Sequence, residues 1–303
     1  ASEANPPVGG LKAVVMPELP EVETIVNDLK KTILGKKIVS FESGFKKAIK
    51  GGNPADFKKN IIGKKIIGVE RIGKNIVINL NSGMTILVHL KMTGQLVVKH
   101  GTQNVEPDSK NLKPRTQNLS PTEKHLHHCF ILNKGLCFYD IRKFGTLSLI
   151  ETSQLKDKFS KLGTDPLSKE FSLEKLKGLL KKAPNKPVKA LLMEQGLISG
   201  IGNIYASEIL FDAKIDPRKK SSSLKNKEVE KLLESIKKIL KKAILMRGTS
   251  VSDYRDASGK KGSFQDVLKV YKKDGQKCPT CDTIIEKSII GQRSTFFCPK
   301  CQK

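Results

Sequence analysis

Two groups of residues in this chain could carry chemistry. Cys278, Cys281, Cys298 and Cys301 stand as CPTC, sixteen residues, then CPKC. Such a pair of knuckles offers four thiolates, which satisfy a tetrahedral zinc ion and leave no open position, so one structural Zn2+ is expected. The stretch between them, IIEKSIIGQRSTFF, alternates like a hairpin and holds Arg293 at a rigid turn, where a guanidinium can grip phosphate. The second group is MPELPEVETI, Met16 to Ile25. With a start at Met16 and loss of that residue, Pro17 would carry a free secondary amine with Glu18 beside it. An α-amino group titrates near ~8 and a lysine near ~10.4, so far more of the former is unprotonated at neutral pH. Such an amine can attack a sugar C1′ and form an imine. With the fifteen residues that precede Met16 in place, Pro17 is an amide with no such reactivity, so this chemistry depends on where the chain starts.

The elements that must hold these residues are legible from periodicity. A helix is expected from Pro20 to about Gly35, with Pro and two glutamates in its first turn and Val22, Ile25, Val26, Leu29 and Ile33 on one face. Residues 1–15 are small, Pro- and Gly-rich and without period, and read as a tail or extension. From Lys37 to about Ile150 the chain runs in short β-rich segments, with a clear hairpin at Asn81 to Gly83, and reads as an antiparallel sandwich. The polar stretch Lys99 to Lys124 inside it is too long for an ordinary connection. Beyond a linker at GTDPLSKEF, four helices are expected at Leu173 to Leu180, Val188 to Glu194, Asn203 to Phe211 and Val229 to Leu245. Arg247 to Ser263 is a Gly- and Ser-rich loop, and no internal repeat stands out. The fold class is α+β: an N-terminal β-sandwich with flanking helices (16–164, after the 1–15 extension), a linker (165–171), a helical domain (172–262) and a zinc-finger hairpin (263–303).

Charge sets the partner. Fifty-six Lys and Arg against thirty Asp and Glu give a formal net charge of +26, which favours a polyanion. The basic residues are spread along the whole chain rather than gathered on one amphipathic helix, so nucleic acid is favoured over a membrane surface. No apolar run approaches the ~18 residues of a membrane span and no secretory signal opens the chain, so a cytoplasmic location is expected. Cys129 and Cys137, in HHCFIL and GLCFYD, read as small buried hydrophobes. The segment LMEQGLISGIGNIYASEILF reads as helix, Gly-rich turn, helix. Its turn aims backbone N–H groups and Asn203 from the positive end of the second helix, which is an anion site; helix-hairpin packing explains the glycines equally well.

MPELPEVETI, HLKMTGQL, YDIRKFGT, LISGIGNIYASEILF, DASGKKGSFQ and the terminal CPTC and CPKC, in order from Met16 onward, together resemble the formamidopyrimidine-DNA glycosylase family. PELPE, rather than PEGPE, is similar to the oxidised-purine branch more than to the endonuclease VIII branch, which prefers oxidised pyrimidines. The resemblance implies a helix-two-turn-helix domain and a monomer acting on double-stranded damaged DNA. It also implies a bifunctional glycosylase and abasic-site lyase, with no organic cofactor. It casts Pro17 as the nucleophile, Glu18 as the carboxylate managing protons at the sugar, Lys74 as a phosphate-touching aid to elimination, and Arg293 as the clamp on phosphates flanking the lesion. Met92, Arg142 and Phe144 match residues inserted where a base has been turned out, with Arg142 facing the orphaned partner base. His125 matches a DNA-contacting histidine, though His127 and His128 beside it leave that choice open. Ser250 to Ser263 matches a flap over the everted base, and its composition suits a mobile lid. Taken alone, Lys74 is a solvated turn lysine, and Met92 and Phe144 are core residues. Two rival readings are a damage-specific DNA-binding protein without catalysis, if Pro17 stays blocked, and a zinc-ribbon transcription or RNA-binding factor.

Overall fold

A computed structural model describes residues 16–99 and 123–303. The 1–15 extension and nearly all of the polar stretch Lys99 to Lys124 lie outside these described residues. Helix α1 (Leu19–Thr32) buries Val22, Ile25, Val26 and Leu29, the face its 3.6-residue period requires. It is followed by β1 (Ser40–Ser43), β2 (Ile49–Lys50) and α2 (Pro54–Ile61). The strand-rich pattern of the surrounding sequence hides this second helix. Asn53 caps α2 by accepting from the Ala55 N–H, and Pro54 opens its first turn, the ordinary signature of a helix start.

Seven further strands complete the N-terminal half: β3 (Ile66–Ile72), β4 (Asn75–Leu80), β5 (Met84–His89), β6 (Gly94–Lys99), β7 (Leu126–Ile131), β8 (Gly135–Asp140) and β9 (Thr146–Glu151). They form a four-stranded sheet, β1-β7-β8-β6, and a five-stranded sheet, β2-β9-β5-β4-β3, with only the short β2–β9 pair parallel. Both sheets and α1 share one core that includes Phe41, Phe57, Phe130 and Phe138. This is the expected sandwich. The Cys129 and Cys137 reading needs correction: both are buried, but β7 and β8 set them directly opposite and they form a disulfide, with Cα atoms 4.1 Å apart.

The structure also reveals a repeat where none stands out from the sequence. Residues 29–39 (LKKTILGKKIV) and 57–67 (FKKNIIGKKII) are near-copies twenty-eight positions apart. Each is the end of a helix closed by a left-handed glycine, Gly35 or Gly63, both at φ +78°. The copies pair around an antiparallel bridge between Lys37 and Lys65. Ile38 N–H donates to Lys64 O and Ile66 N–H to Lys36 O; Gly35 N–H donates to Ile66 O and Gly63 N–H to Ile38 O. Each bond is the image of another under a local two-fold exchange of the copies. The arrangement joins the leading ends of β1 and β3, the outermost strands of the two sheets, and so closes one side of the sandwich.

After the short helix α3 (Leu155–Lys158) come α4 (Leu173–Lys182), α5 (Val188–Leu192), α6 (Asn203–Asp212) and α7 (Asn226–Leu245), then the hairpin β10 (Glu286–Ile290) and β11 (Arg293–Phe297). Helices and hairpin share a second core, with Leu192, Tyr205, Ile236, Phe264 and Phe296 in it. The segment read as a linker is tightly held. Gly163 and Thr164 N–H groups donate to Gln195 O and Leu197 O, and Asp165 pairs with Arg71 of β3 at 2.6 Å. Leu19, in the first turn of α1, belongs to the helical core, whereas Val22 onward belongs to the sandwich core. Among the described residues no helix is long and apolar enough to cross a membrane.

Candidate active site and nucleic-acid interface

The start of α1 is driven into the seam between the two cores. Pro17, Glu18 and Glu21 are all buried. The Glu18 carboxylate accepts from the backbone N–H of Gly202 at 2.7 Å, of Ile204 at 2.9 Å and of Tyr205 at 3.4 Å. The anion site expected at the positive end of α6 is therefore filled by the chain's own Glu18. Gly202 is needed for that approach: a Cβ there would lie 2.4 Å from the Glu18 Cδ. Burial pushes the Glu18 carboxyl upward, against the Lys74 charge and the three N–H donors, which favour the carboxylate.

A second acid, legible in the sequence only as a first-turn glutamate, supports the first. Glu21 accepts from the Glu18 N–H at 2.8 Å, from the Tyr205 hydroxyl at 2.5 Å and from the Thr249 N–H at 2.7 Å. Burial, then the neighbouring Glu18 charge, raises its carboxyl to about 7. Lys74, at the β3–β4 turn, is half-buried rather than solvated. Burial pulls its ammonium down, with Glu18 and then Glu21 opposing and Arg293 adding to the fall. Lys74 thus feels both Glu18 and Arg293, residues drawn from distant stretches of sequence.

Arg293 stands exposed at the first position of β11, behind a turn in which Gly291 and Gln292 both have positive φ. The residues that follow it, Ser294 and Thr295, are fixed by Lys189, which no sequence signal distinguishes among the fifty-six Lys and Arg residues. Lys189 is fully buried and donates to Asn203 Oδ1 at 2.7 Å, Thr295 Oγ1 at 2.8 Å and Ser294 O at 3.1 Å. Burial lowers its ammonium to about 7, against the Glu18 charge. Asn203 donates in turn to Ser294 O at 3.0 Å, so its side chain is directed into the hairpin. Beyond the hairpin, the four cysteine Sγ atoms lie within 4.8 Å of one another, with separations of 3.3, 3.5 and 3.9 Å among them. A zinc ion with bonds of about 2.3 Å separates tetrahedral sulfurs by about 3.8 Å, so the cluster fits one.

Met92, Arg142 and Phe144 lie on two turns at one end of the sandwich, and a buried acid links them. Asp140, at the end of β8, accepts from the Thr93 hydroxyl, from the Gly145 N–H at 2.6 Å and from the Arg142 N–H at 3.2 Å. Thr93 Oγ1 also accepts from the Arg142 N–H at 2.9 Å, which ties the Met92 turn to the Arg142 turn. Phe144 is half exposed and the Arg142 guanidinium lies 5.1 Å from its ring centre. Neither Phe144 nor half-buried Met92 is a core residue. Of the three histidines, His127 contacts Asp140 O and His128 contacts Ser43 Oγ, both buried; His125 is partly buried. Arg247 to Ser263 is docked rather than free. Tyr254 and Ala257 enter the sandwich core, Val98 N–H donates to Ala257 O, and fully buried Asp256 pairs with Arg247.

Comparison with known proteins accounts for this arrangement. Family models match residues 16–147 (formamidopyrimidine-DNA glycosylase N-terminal domain), 162–255 (its H2TH domain) and 275–303 (a zinc finger found in FPG and IleRS). The chain belongs to the formamidopyrimidine-DNA glycosylase family. Among its family relatives, a Carboxydothermus hydrogenoformans formamidopyrimidine-DNA glycosylase is 42% identical, and one from Streptococcus mutans 39%, each over 95% of this chain and 100% of the relative. A crystal structure of a mutant of the Lactococcus lactis member, in complex with Fapy-dG-containing DNA, superposes with a TM-score of 0.82 at 36% identity, over 95% of this chain and 100% of that one. The family member MutM, in complex with carbocyclic 8-oxo-G-containing DNA, gives 0.81 at 35%, with the same coverage.

Proposed function

We propose that this chain, as a monomer in the cytoplasm among chromosomal DNA, excises oxidised purines such as 8-oxoguanine and formamidopyrimidines from duplex DNA and then cuts the backbone at the resulting abasic site. The observation that carries this reading is the burial of Pro17 and Glu18 at the start of α1, where the Glu18 carboxylate accepts three backbone N–H groups at the head of α6 and feels the Lys74 charge. The solved structures of its relatives with Fapy-dG and 8-oxo-G DNA support the substrate class.

The everted nucleotide offers C1′ to the Pro17 amine once that amine is free. Its lone pair forms the N–C1′ bond as the C1′–base bond breaks, and the base leaves with the bonding pair. Glu18, a carboxylate held by three N–H donors yet raised by burial, is suited to take the proton that the attacking amine sheds and to pass it to the sugar oxygen as the ring opens to the iminium. The iminium acidifies C2′–H, and loss of that proton expels the 3′ phosphate. Lys74 neutralises phosphate charge during that step, and Arg293 clamps the flanking phosphates and assists the second elimination. Met92, Arg142 and Phe144 fill the vacated stack, Arg142 toward the opposite base, while His125 and Asn203 help hold the backbone. In this division of labour residues 16–164 carry Pro17, Glu18 and Lys74 together with the residues that fill the stack, 172–262 grips the backbone, and 263–303 adds Arg293, the two halves being joined by 165–171. A structural zinc would be held by Cys278, Cys281, Cys298 and Cys301 and would fix the hairpin that presents Arg293.

Borohydride reduction during turnover tests the reading. A chain beginning at Pro17 should be trapped covalently on 8-oxoguanine duplex, whereas the full chain, with residues 1–16 attached, should not. Trapping of the extended form, with its start verified by mass spectrometry, would move the nucleophile to another amine such as Lys74. Absence of any adduct with either form refutes imine chemistry.

A further inference from the structure

The paired repeats at the far end of α1 build a surface that the repair reaction does not use. Leu34, Val39, Ile62 and Ile67 surround the Lys37–Lys65 bridge and are 47%, 61%, 36% and 58% exposed. Scattered exposed apolar residues need no explanation, but four gathered by one symmetric turn pair are a patch. Lysines frame it: residues 29–39 contribute Lys30, Lys31, Lys36 and Lys37, and residues 57–67 contribute Lys58, Lys59, Lys64 and Lys65. Neither copy contains an acidic residue. The nearest acids along the chain are Asp28, which pairs with Arg247, and Asp56, Glu42 and Glu70 just outside the copies.

We infer that this patch docks an acidic segment of a partner protein, one in which Asp or Glu residues alternate with large apolar side chains. Charge complementarity selects the sign of the partner and the apolar centre selects its class. Phosphodiester backbone would satisfy the lysines but leave Val39 and Ile67 in water, whereas a peptide with Leu or Phe between acids covers both. The location agrees. Helix α1 has 14 residues and so is about 21 Å long, and the patch lies beyond its C-terminus while Glu18 precedes its N-terminus. A protein docked there leaves the catalytic end open. The two sheet edges joined under the patch give it a rigid floor, so little ordering is required on binding.

The test is fluorescence anisotropy with the full chain and a labelled short peptide alternating Glu with Leu and Phe. A control peptide replaces the apolar residues with Ser. Saturable binding of the first and at least about tenfold weaker binding of the second are expected. The double variant Lys37→Glu/Lys65→Glu should weaken the peptide about tenfold or more, and Val39→Ser/Ile67→Ser should do likewise without any change of charge. Reversal of Lys237 and Lys241 on α7 is the matched control for net charge and should matter far less. Base release from damaged duplex should be unchanged in both patch variants. Should Lys37→Glu/Lys65→Glu lower the melting temperature, the serine pair carries the test. Equal binding of both peptides, equal effects of the α7 reversal, or an equal loss of undamaged duplex affinity in the patch variants would each overturn the inference. The last of these would make the patch a DNA surface.

Discussion

At the scale of single residues, the structure separates exposed side chains at turns from the buried groups that hold those turns. Arg293 is exposed at a hairpin turn, whereas Arg142 lies on a turn organised by Asp140. Arg293→Ala should therefore weaken intact and damaged duplex alike, and Arg142→Ala should mainly remove dependence on the base opposite the lesion; equilibrium titrations against four opposite bases will separate them. Buried titratable groups set a pH profile. Burial lowers His128, and with it His89, to about 4, below the ~6.5 of an unfolded histidine. A base whose folded value is depressed gives stability that is present above ~6.5 and is lost as pH falls toward 4. Glu21, raised to about 7, works in the opposite sense: its contribution is full below its unfolded value near 4.5 and is lost as pH rises through 7. His128 also leaves Nε2 buried without a partner, so His128→Leu removes a polar atom as well as a titration. Thermal melts should show the leucine variant losing less stability than the parent between pH 7 and pH 5, by about 2 kcal/mol.

Elements were the most legible level. The 3.6-residue period gave α1 and the four C-terminal helices, and alternation with Asn81–Gly83 gave the sandwich and its hairpin. The cysteine spacing gave a cluster that the structure assembles. What escaped has a common physical cause, because it depends on tertiary neighbours. Lys189 is one lysine in a helix until α6 and β11 surround it, and Asp140 is a strand-end acid until two turns converge on it. Glu18 as the anion for α6 requires a contact across 184 positions. By contrast α2 and the 29–39/57–67 repeat carry local signals, an Asn-Pro cap and a copied Gly-Lys-Lys, that the surrounding strand-rich pattern masks. The hairpin also yields a prediction. Small modules of this kind rest on their metal, so chelation should disorder 275–303 while the sandwich keeps its fold. Limited proteolysis should then cut first in the hairpin, and duplex affinity should fall with it.

For the whole molecule, the +26 charge and the seam between the cores govern behaviour. Several cations meeting phosphates together displace counterions, so binding of any duplex should fall steeply with salt, as the slope of log affinity against log salt will show; a flat plot would refute that reading. The seam has a subtler effect. Leu19 is anchored in one core and Val22 in the other, and Tyr254 and Ala257 cross from the helical side into the sandwich. The amides of Gly202, Ile204 and Tyr205 are shut behind Glu18 at this joint, so their hydrogens can exchange with solvent only when the halves part. The slowness of that exchange measures, in one observable, both how firmly the halves adhere and how long the carboxylate stays poised.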